Sequence, residues 1–373
     1  MSIRRILAGS LLIGLSACGT GQGDEIVIGL AGPISQANGR SFKFGAELAI
    51  EEINNKGGIK GRRLRLEIKD DEANREKAIQ VAAELRDDPR VVAVVGHVGS
   101  AMSIEAARIY NDPARGILQI SPASSSPELS EAGEWTFRVC PTDLQHGPAL
   151  ANWTRTKLGL ERAAVLYAND EYGRNLLESY VNAFEGAGGT IVGRDPFIPA
   201  LMEEDKALDP YLERAIRYGA DAIVVAGQAP EALKILRAAR RLGFKGAFLG
   251  ADGITNLKDE GEIANGVYIT SAFLPDRDTP AARAFVERYR QRYDELPDHR
   301  GAMAYDAVLL IAQALEEVGQ DRRALRAYVA SIGNERPPFE GVSGTIRFDH
   351  NGDVVEKDVA VGVVRDGALR TAR

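Results

Sequence analysis

From residue 25 onward, apolar and polar positions along the chain alternate between two periods. Short runs that are apolar at nearly every position and rich in β-branched residues predict strands buried on both faces. Val91-Val92-Ala93-Val94-Val95 and Ile223-Val224-Val225 are the clearest. On this pattern strands are expected over 25–30, 63–68, 91–95, 116–120, 163–167, 190–197, 222–226, 246–249 and 266–271. Between them apolar residues recur at the i, i+3, i+4, i+7 spacing of a helix with one buried stripe. Ala46, Ala49, Ile50 and Ile53 form one such stripe, and Ala78, Val81, Ala82 and Leu85 another. Ala232, Ile235, Leu236 and Ala239 form a third, and Val308, Ile311, Ala312 and Leu315 a fourth. Gly57-Gly58, Asp88-Pro89 and Gly243 stop the first three.

Strands alternating with helices mean an α/β fold with parallel sheets covered on both faces. About ten strands exceed what one such sheet usually carries, so two sheets in two lobes are expected. Residues 134–143 lack helical periodicity and pass from the first βα series to the second, which makes them a candidate crossing. Helix-poor stretches at 271–278 and 353–358 offer two more. No short repeat and no low-complexity segment interrupts the pattern.

The first residues read as an address. Arg4 and Arg5 precede an apolar stretch over 6–15, and Leu15-Ser16-Ala17-Cys18 resembles a bacterial lipobox. The resemblance implies a signal peptide over 1–17, lipidation of Cys18 and a Gly-rich tether over 18–24. A buried first helix with an incidental cysteine is the alternative. Two or more acyl chains, at about 0.8 kcal/mol per buried methylene, anchor a protein stably. The mature chain is therefore expected in the periplasm or another extracytoplasmic space, held to a membrane only by lipid. With Cys18 modified, Cys140 is left alone, and no intramolecular disulfide can form.

Composition narrows the function classes. The 373 residues are 45% hydrophobic and 27% charged, enough for full cores. A net charge of −7 gives no electrostatic footprint for nucleic acid. No apolar run of about 18 residues marks a membrane span. Enzyme signatures are absent as well: Gly341-Val342-Ser343-Gly344 is not a nucleophile elbow, and no phosphate-cradling or dinucleotide glycine motif follows a strand. The four histidines, at 97, 146, 299 and 350, lack metal-ligand spacing. Neither a metal nor a cofactor is expected.

Polar loops at the C-terminal ends of strands, where open α/β sheets bind ligands, stand out instead. Gly96-His97-Val98-Gly99-Ser100 leads into a helix, and Ser121-Pro122-Ala123-Ser124-Ser125 follows the next strand. Backbone N–H groups at such turns suit a small carboxylate, with helix capping the other reading of Ser100 and Ser125. Tyr172 offers an aromatic face to a cation and Asp252 a charge to an ammonium, against a packing tyrosine and an Asx-turn aspartate. Brought to one cleft, these loops would trap a zwitterion.

Residues 45–61 (GAELAIEEINNKGGIKG), Asp70-Asp71, Ile120-Ser121-Pro122, Asp170-Glu171-Tyr172-Gly173, Gly250-Ala251-Asp252-Gly253, Ala304-Tyr305-Asp306-Ala307-Val308 and 341–349 together resemble the leucine/isoleucine/valine-binding family. These are type I periplasmic solute-binding proteins of branched-chain amino acid ABC importers, and the likeness extends over 25–370. It implies two Rossmann-like lobes joined by a three-strand hinge. One lobe would be residues 25–142 plus 274–355, the other 143–273 plus 356–373. Carboxylate contacts then fall on Ser100, the backbone of Ala123, and Ser125; ammonium contacts fall on Tyr172 and Asp252, where leucine-type binders often carry Glu. The family's disulfide positions fall on Ala73 and Gly99.

The resemblance further implies a monomer that binds a small molecule and docks on permease subunits with cytoplasmic ATPases. Three positions depart from leucine-type binders. The Gln36-Ala37-Asn38-Gly39 loop lacks their aromatic, Gln228 stands where they have Tyr, and Arg300 falls where they carry an apolar ring, with a solvated surface site as its alternative. Asn38, Gln228 and Arg300 suit a ligand more polar than leucine. Other classes compatible with this framework are a receptor for amides, urea or aromatic acids, and an envelope regulator or scaffold lipoprotein of the same fold that binds a protein.

Overall fold

The computed structural model describes residues 25–202 and 206–373. The signal-peptide, lipidation and tether readings over 1–24, Cys18 included, lie outside the described residues.

Five strands and three helices come first. They are β1 (Ile26–Gly32), α1 (Ala37–Asn55), β2 (Leu64–Asp70), α2 (Arg75–Asp87), β3 (Val91–Gly96), α3 (Ser100–Tyr110), β4 (Leu118–Ser121) and β5 (Thr136–Arg138). The strands form one sheet in the order β2-β1-β3-β4-β5, and every pairing in it is parallel. β1 and β3 are buried at every position, which is why their sequences are continuously apolar.

A second series follows: α4 (Asp143–Asn152), β6 (Arg162–Ala168), α5 (Glu171–Gly186), β7 (Thr190–Phe197), α6 (Asp209–Arg217), β8 (Ala222–Ala226), α7 (Ala229–Arg241), β9 (Ala247–Gly250) and β10 (Tyr268–Ser271). Between β9 and β10 runs a 3₁₀ stretch, Asp252–Ala264. The chain then makes α8 (Pro280–Tyr293), α9 (His299–Val318) and α10 (Arg322–Ala330), whose apolar faces join the core of the first sheet. A small hairpin of β11 (Phe339–Gly341) and β12 (Gly344–Ile346) follows. Last, β13 (Ala360–Arg365) and β14 (Ala368–Thr371) add antiparallel to the second sheet, in the order β14-β13-β10-β9-β8-β6-β7. The chain thus passes between the two sheets three times: after β5, after β10 and before β13.

In each sheet the strand order reverses direction once, between β1 and β3 in the first and between β6 and β8 in the second. Loops leaving neighbouring strands diverge at such a point and open a crevice. The loops after β1, β3, β6 and β8 are therefore where a ligand site is expected on topology alone.

α1 and α9 lie unusually close. A Cβ built on Gly45 would sit 2.0 Å from the carbonyl oxygen of Gly301, so only glycine permits the contact. This packing matters because both helices carry cleft residues.

The predicted helical stripes lie on α1, α2, α7 and α9. Two expectations need correction. Residues 134–143 are not solely a crossing, because β5 occupies Thr136–Arg138 before the chain leaves. The antiparallel edge β13–β14 was absent from the strand pattern; its burial is partial, and it follows a long helical region. Cys140 is buried and unpaired. Among the described residues no helix is long and apolar enough to cross a membrane.

Candidate functional site

A cavity of about 260 Å³ lies between the two sheets, at the crevices the strand order creates. Seven of the eight candidate residues line it: Asn38, Ser100, Ala123, Tyr172, Gln228, Asp252 and Arg300. Ser125 does not. It is buried beside the cavity, and its backbone carbonyl accepts from Asp143 N–H at 2.8 Å.

On the first sheet's side, β3 ends at Gly96 and α3 begins at Ser100, with Gly99 at the N-cap. No side chain caps the first turn of α3, so its N–H groups and dipole face the cavity wall. Helix capping therefore does not account for Ser100. Its hydroxyl instead accepts from Ser126 N–H at 3.2 Å and ties the two polar loops together. Nor does Ser125 cap; Ser126 does, accepting from Glu128 N–H at 3.3 Å.

Behind these loops is a dense polar shell. The carbonyl of His97 accepts from the hydroxyls of Ser103 at 3.0 Å and Ser121 at 2.8 Å. The His97 ring is held between Asp71, 2.6 Å from Nδ1, and the Tyr110 hydroxyl, 3.3 Å from Nε2. Arg138, buried on β5, donates to the carbonyls of Ser124 at 3.0 Å and Ser126 at 2.8 Å, and pairs with Asp353 at 2.6 Å. A rigid second layer of this kind holds backbone donors in place for a ligand.

On the second sheet's side, Asp170 caps α5, accepting from Gly173 N–H at 2.8 Å, which fixes Tyr172 in the first turn. The Tyr172 hydroxyl donates to Oδ1 of Asp252 at 3.1 Å and accepts from Gly253 N–H at 3.0 Å. A Cβ on Gly253 would come within 2.4 Å of the Gly227 carbonyl oxygen and 2.8 Å of the Tyr172 hydroxyl, so the turn needs glycine. Asp252 opens the 3₁₀ stretch without capping it through its side chain, which removes the Asx-turn reading.

Two histidines that sequence spacing left scattered converge on this carboxylate. Nε2 of His146 on α4 and Nε2 of His299 on α9 each lie 3.8 Å from Oδ2 of Asp252. His146 is oriented by Thr270, whose hydroxyl is 3.0 Å from Nδ1. Burial pushes the pKa of both imidazoles down, that of His299 to about 4 with help from the Arg300 charge. Burial also acts to raise Asp252, but His146, His299, Arg300 and the Tyr172 hydroxyl outweigh it, and the carboxyl stays below its ordinary value. Asp143 on α4 goes the other way: burial, reinforced by the nearby Asp252 charge, raises it well above the usual carboxylate range. At neutral pH Asp252 is an ionised carboxylate beside two neutral imidazoles and the Arg300 guanidinium. His146, His299 and Asp143 could be identified only after folding.

Arg300 is buried, not solvated. Its guanidinium donates to Thr255 Oγ1 at 2.8 Å, to Asp298 Oδ2 at 3.1 Å and to the Asp252 carbonyl at 3.2 Å. Asn38 on α1 reaches across to Gln228 at the start of α7, Nδ2 to Oε1, at 3.2 Å, and accepts from Asn256 at 3.0 Å. Arg75 of α2 pairs with Glu171 of α5, and Asn175 of α5 donates to Ser126 Oγ at 3.1 Å. These bonds connect the two sides around the cavity. Among the described residues no cluster of His, Cys, Asp and Glu could hold a metal ion.

Comparison with known proteins agrees with this architecture. The family model for periplasmic binding proteins matches residues 26–368. An amino acid binding protein of Pseudomonas aeruginosa is 29% identical over 366 residues, covering 95% of this chain and 93% of its own. An ABC transporter substrate-binding protein from Desulfitobacterium hafniense, solved in complex with Leu, is 33% identical with a TM-score of 0.81, over 93% of this chain and 100% of that one. A leucine binding protein from Thermotoga maritima is 30% identical with a TM-score of 0.84, over 93% and 98% of the two chains. With two parallel-stranded cores, three crossings and a cleft built at both switch points, the chain belongs to the periplasmic binding protein family.

Proposed function

We propose that this protein is the extracytoplasmic substrate-binding component of an ABC importer and captures a free amino acid between its two sides. The observation that carries the reading is the opposition of charges across one cleft. Asp252, ionised and held by Tyr172, receives the α-ammonium. The uncapped first turn of α3, with Ser100 and the backbone of Ala123, receives the α-carboxylate. Ser125, beside the cavity with its buried hydroxyl unpartnered, would complete the carboxylate contacts. The ligand would bridge lobes made of residues 25–142 plus 274–355 and 143–273 plus 356–373. Its contacts with both would draw a pre-existing open–closed equilibrium toward the closed form about the three crossings.

The closed protein would deliver its ligand as a monomer to a permease with cytoplasmic ATPase subunits. Lipid on Cys18 would keep it at the membrane surface, outside the cytoplasm. The relatives named for amino acid and leucine binding support this class of ligand. A thermal-shift screen of free amino acids tests it. At a concentration 100 times Kd a ligand stabilises by about 2.7 kcal/mol. N-acetylation or esterification of the bound amino acid should abolish the shift, since each removes one end of the zwitterion. Equal shifts from a free acid and its N-acetyl form would contradict the assignment to Asp252.

A further inference from the structure

Three residues of the cavity wall carry buried polar atoms without partners. Nε of Arg300, both ring nitrogens of His299 and Oε2 of Glu231 are buried and make no hydrogen bond, and all three residues line the cavity. Arg300 and His299 are almost fully buried, at 2% and 1% exposure. Beside them the side-chain amides of Asn38 and Gln228 face the same space, hydrogen-bonded to each other.

The cation of this wall is already paired. Arg300 is paired with Asp298 at 3.1 Å, and among the described residues that buried carboxylate has no other cation as close. Burial keeps His299 neutral and pushes the Glu231 carboxyl upward. Asp252 is taken by the α-ammonium. What is left to meet a ligand side chain is mainly hydrogen-bond donors and acceptors, with no unpaired cation among the lining residues. An aliphatic side chain would seal these atoms from water and leave them unpaired, the costly arrangement for buried polar groups. A carboxylate would need a cation that Arg300 has given to Asp298. A carboxamide supplies a carbonyl to the Arg300 N–H and an NH₂ to the histidine, carboxyl or amide acceptors.

Resting on the amino-acid reading above, we infer that the cognate ligand carries a neutral, hydrogen-bonding side chain, a carboxamide as in glutamine or asparagine, recognised by Arg300, His299, Asn38 and Gln228. Calorimetric titration of the full chain with glutamine, asparagine, leucine, valine, glutamate and lysine tests this. One of the two amides should bind at least about tenfold tighter than leucine or valine, because a site built for hydrogen bonds rejects analogues that lack them. Glutamate and lysine should also bind more weakly. Gln228 caps nothing with its side chain, so Gln228→Leu should fold normally. That variant should lose about tenfold in amide affinity and gain toward leucine. Arg300→Met should shift preference the same way.

Tightest binding by leucine, valine, glutamate or lysine would overturn this inference and leave the amino-acid reading intact. So would a Gln228→Leu variant with an unchanged amide-to-leucine ratio. A folded protein that binds no free amino acid would overturn the amino-acid reading itself, and the side-chain inference with it.

Discussion

The hydroxyl of Tyr172 donates to Asp252 across 3.1 Å while accepting from the backbone N–H that follows that aspartate. One phenol thus fixes both the carboxylate and the turn that carries it. Sequence suggested that the ring would present its face to a cation. The structure adds a use for the polar atom of this buried, cavity-lining residue, which is committed to Asp252.

Removing that hydroxyl should therefore weaken binding without unfolding the protein. Tyr172→Phe keeps the ring packing and deletes two hydrogen bonds, one from Gly253 N–H and one to the charged Asp252, the latter worth about 1.5–3 kcal/mol. The expected loss is on the order of tenfold to a hundredfold in ligand affinity by calorimetry, with a melting temperature lowered by a few degrees because the Gly253 N–H loses its acceptor. An unchanged affinity would mean that Asp252 needs no help in facing the ligand.

Asp252→Ala is the more severe change. A buried ammonium that loses its only carboxylate costs about 3–5 kcal/mol, so binding should fall by more than a hundredfold. Asp252→Asn should keep the fold and fail nearly as badly, because its amide cannot neutralise the charge. Wild-type affinity for the same amino acid in either variant would remove Asp252 from the site.

How much of this could be read before the fold was known depends on the distance over which each feature is encoded. Val91–Gly96 and Ala222–Ala226 announce themselves because burial on both faces forces every position to be apolar. Thr136–Arg138 does not, since a three-residue strand ending in a buried arginine has no apolar run to detect. Tyr172 and Asp252 sit in loops whose local composition already suggests a ligand site. His146 and His299 carry no such sign. They become neighbours of Asp252 only when α4 and α9 arrive from opposite sides of the cleft. Arg138 likewise shows its role, gripping two carbonyls of the 124–126 loop, only in three dimensions.

Those histidines give stability a predictable pH dependence. The folded-state pKa of His299 lies near 4, below the ordinary 6.5, so folding favours the neutral ring. The resulting stability is complete above pH 6.5 and is lost as pH falls toward 4, by about 3 kcal/mol for a shift of this size. His146 is displaced in the same direction. Asp143 opposes them, since a raised carboxyl contributes stability below its unfolded value and loses it as pH rises through the folded one. Urea midpoints of the ligand-free protein should therefore drop between pH 7 and pH 4.5, and His299→Gln should flatten the drop. An identical slope in that variant would assign the acid sensitivity elsewhere.

Gly45 tests the frame that carries the site. A methyl group there would meet the Gly301 carbonyl at 2.0 Å, a backbone atom that cannot move aside without shifting α9. Overpacking of this kind costs about 1–3 kcal/mol or more. Gly45→Ala should lower the melting temperature by several degrees. It should weaken binding as well, because Asn38 and Arg300 sit on the two helices forced apart.

Across the cleft mouth, Arg75 of α2 pairs with Glu171 of α5 and reaches Glu105 of α3 at 3.5 Å. The Arg75–Glu171 bond joins elements on opposite sides of the cavity, so it can exist only while the two sides are together. Its contribution is modest, because Arg75 is 44% exposed and solvent screens it. Arg75→Ala should consequently leave the fold and the melting temperature of the ligand-free protein almost unchanged, yet bias the equilibrium toward the open form. The expected signature is a ligand affinity reduced about twofold to fivefold, carried mainly by faster dissociation. Raising salt should weaken wild-type binding through this pair more than binding by the variant. Equal salt dependence in the two proteins, with equal dissociation rates, would show that the pair does not hold the closed state.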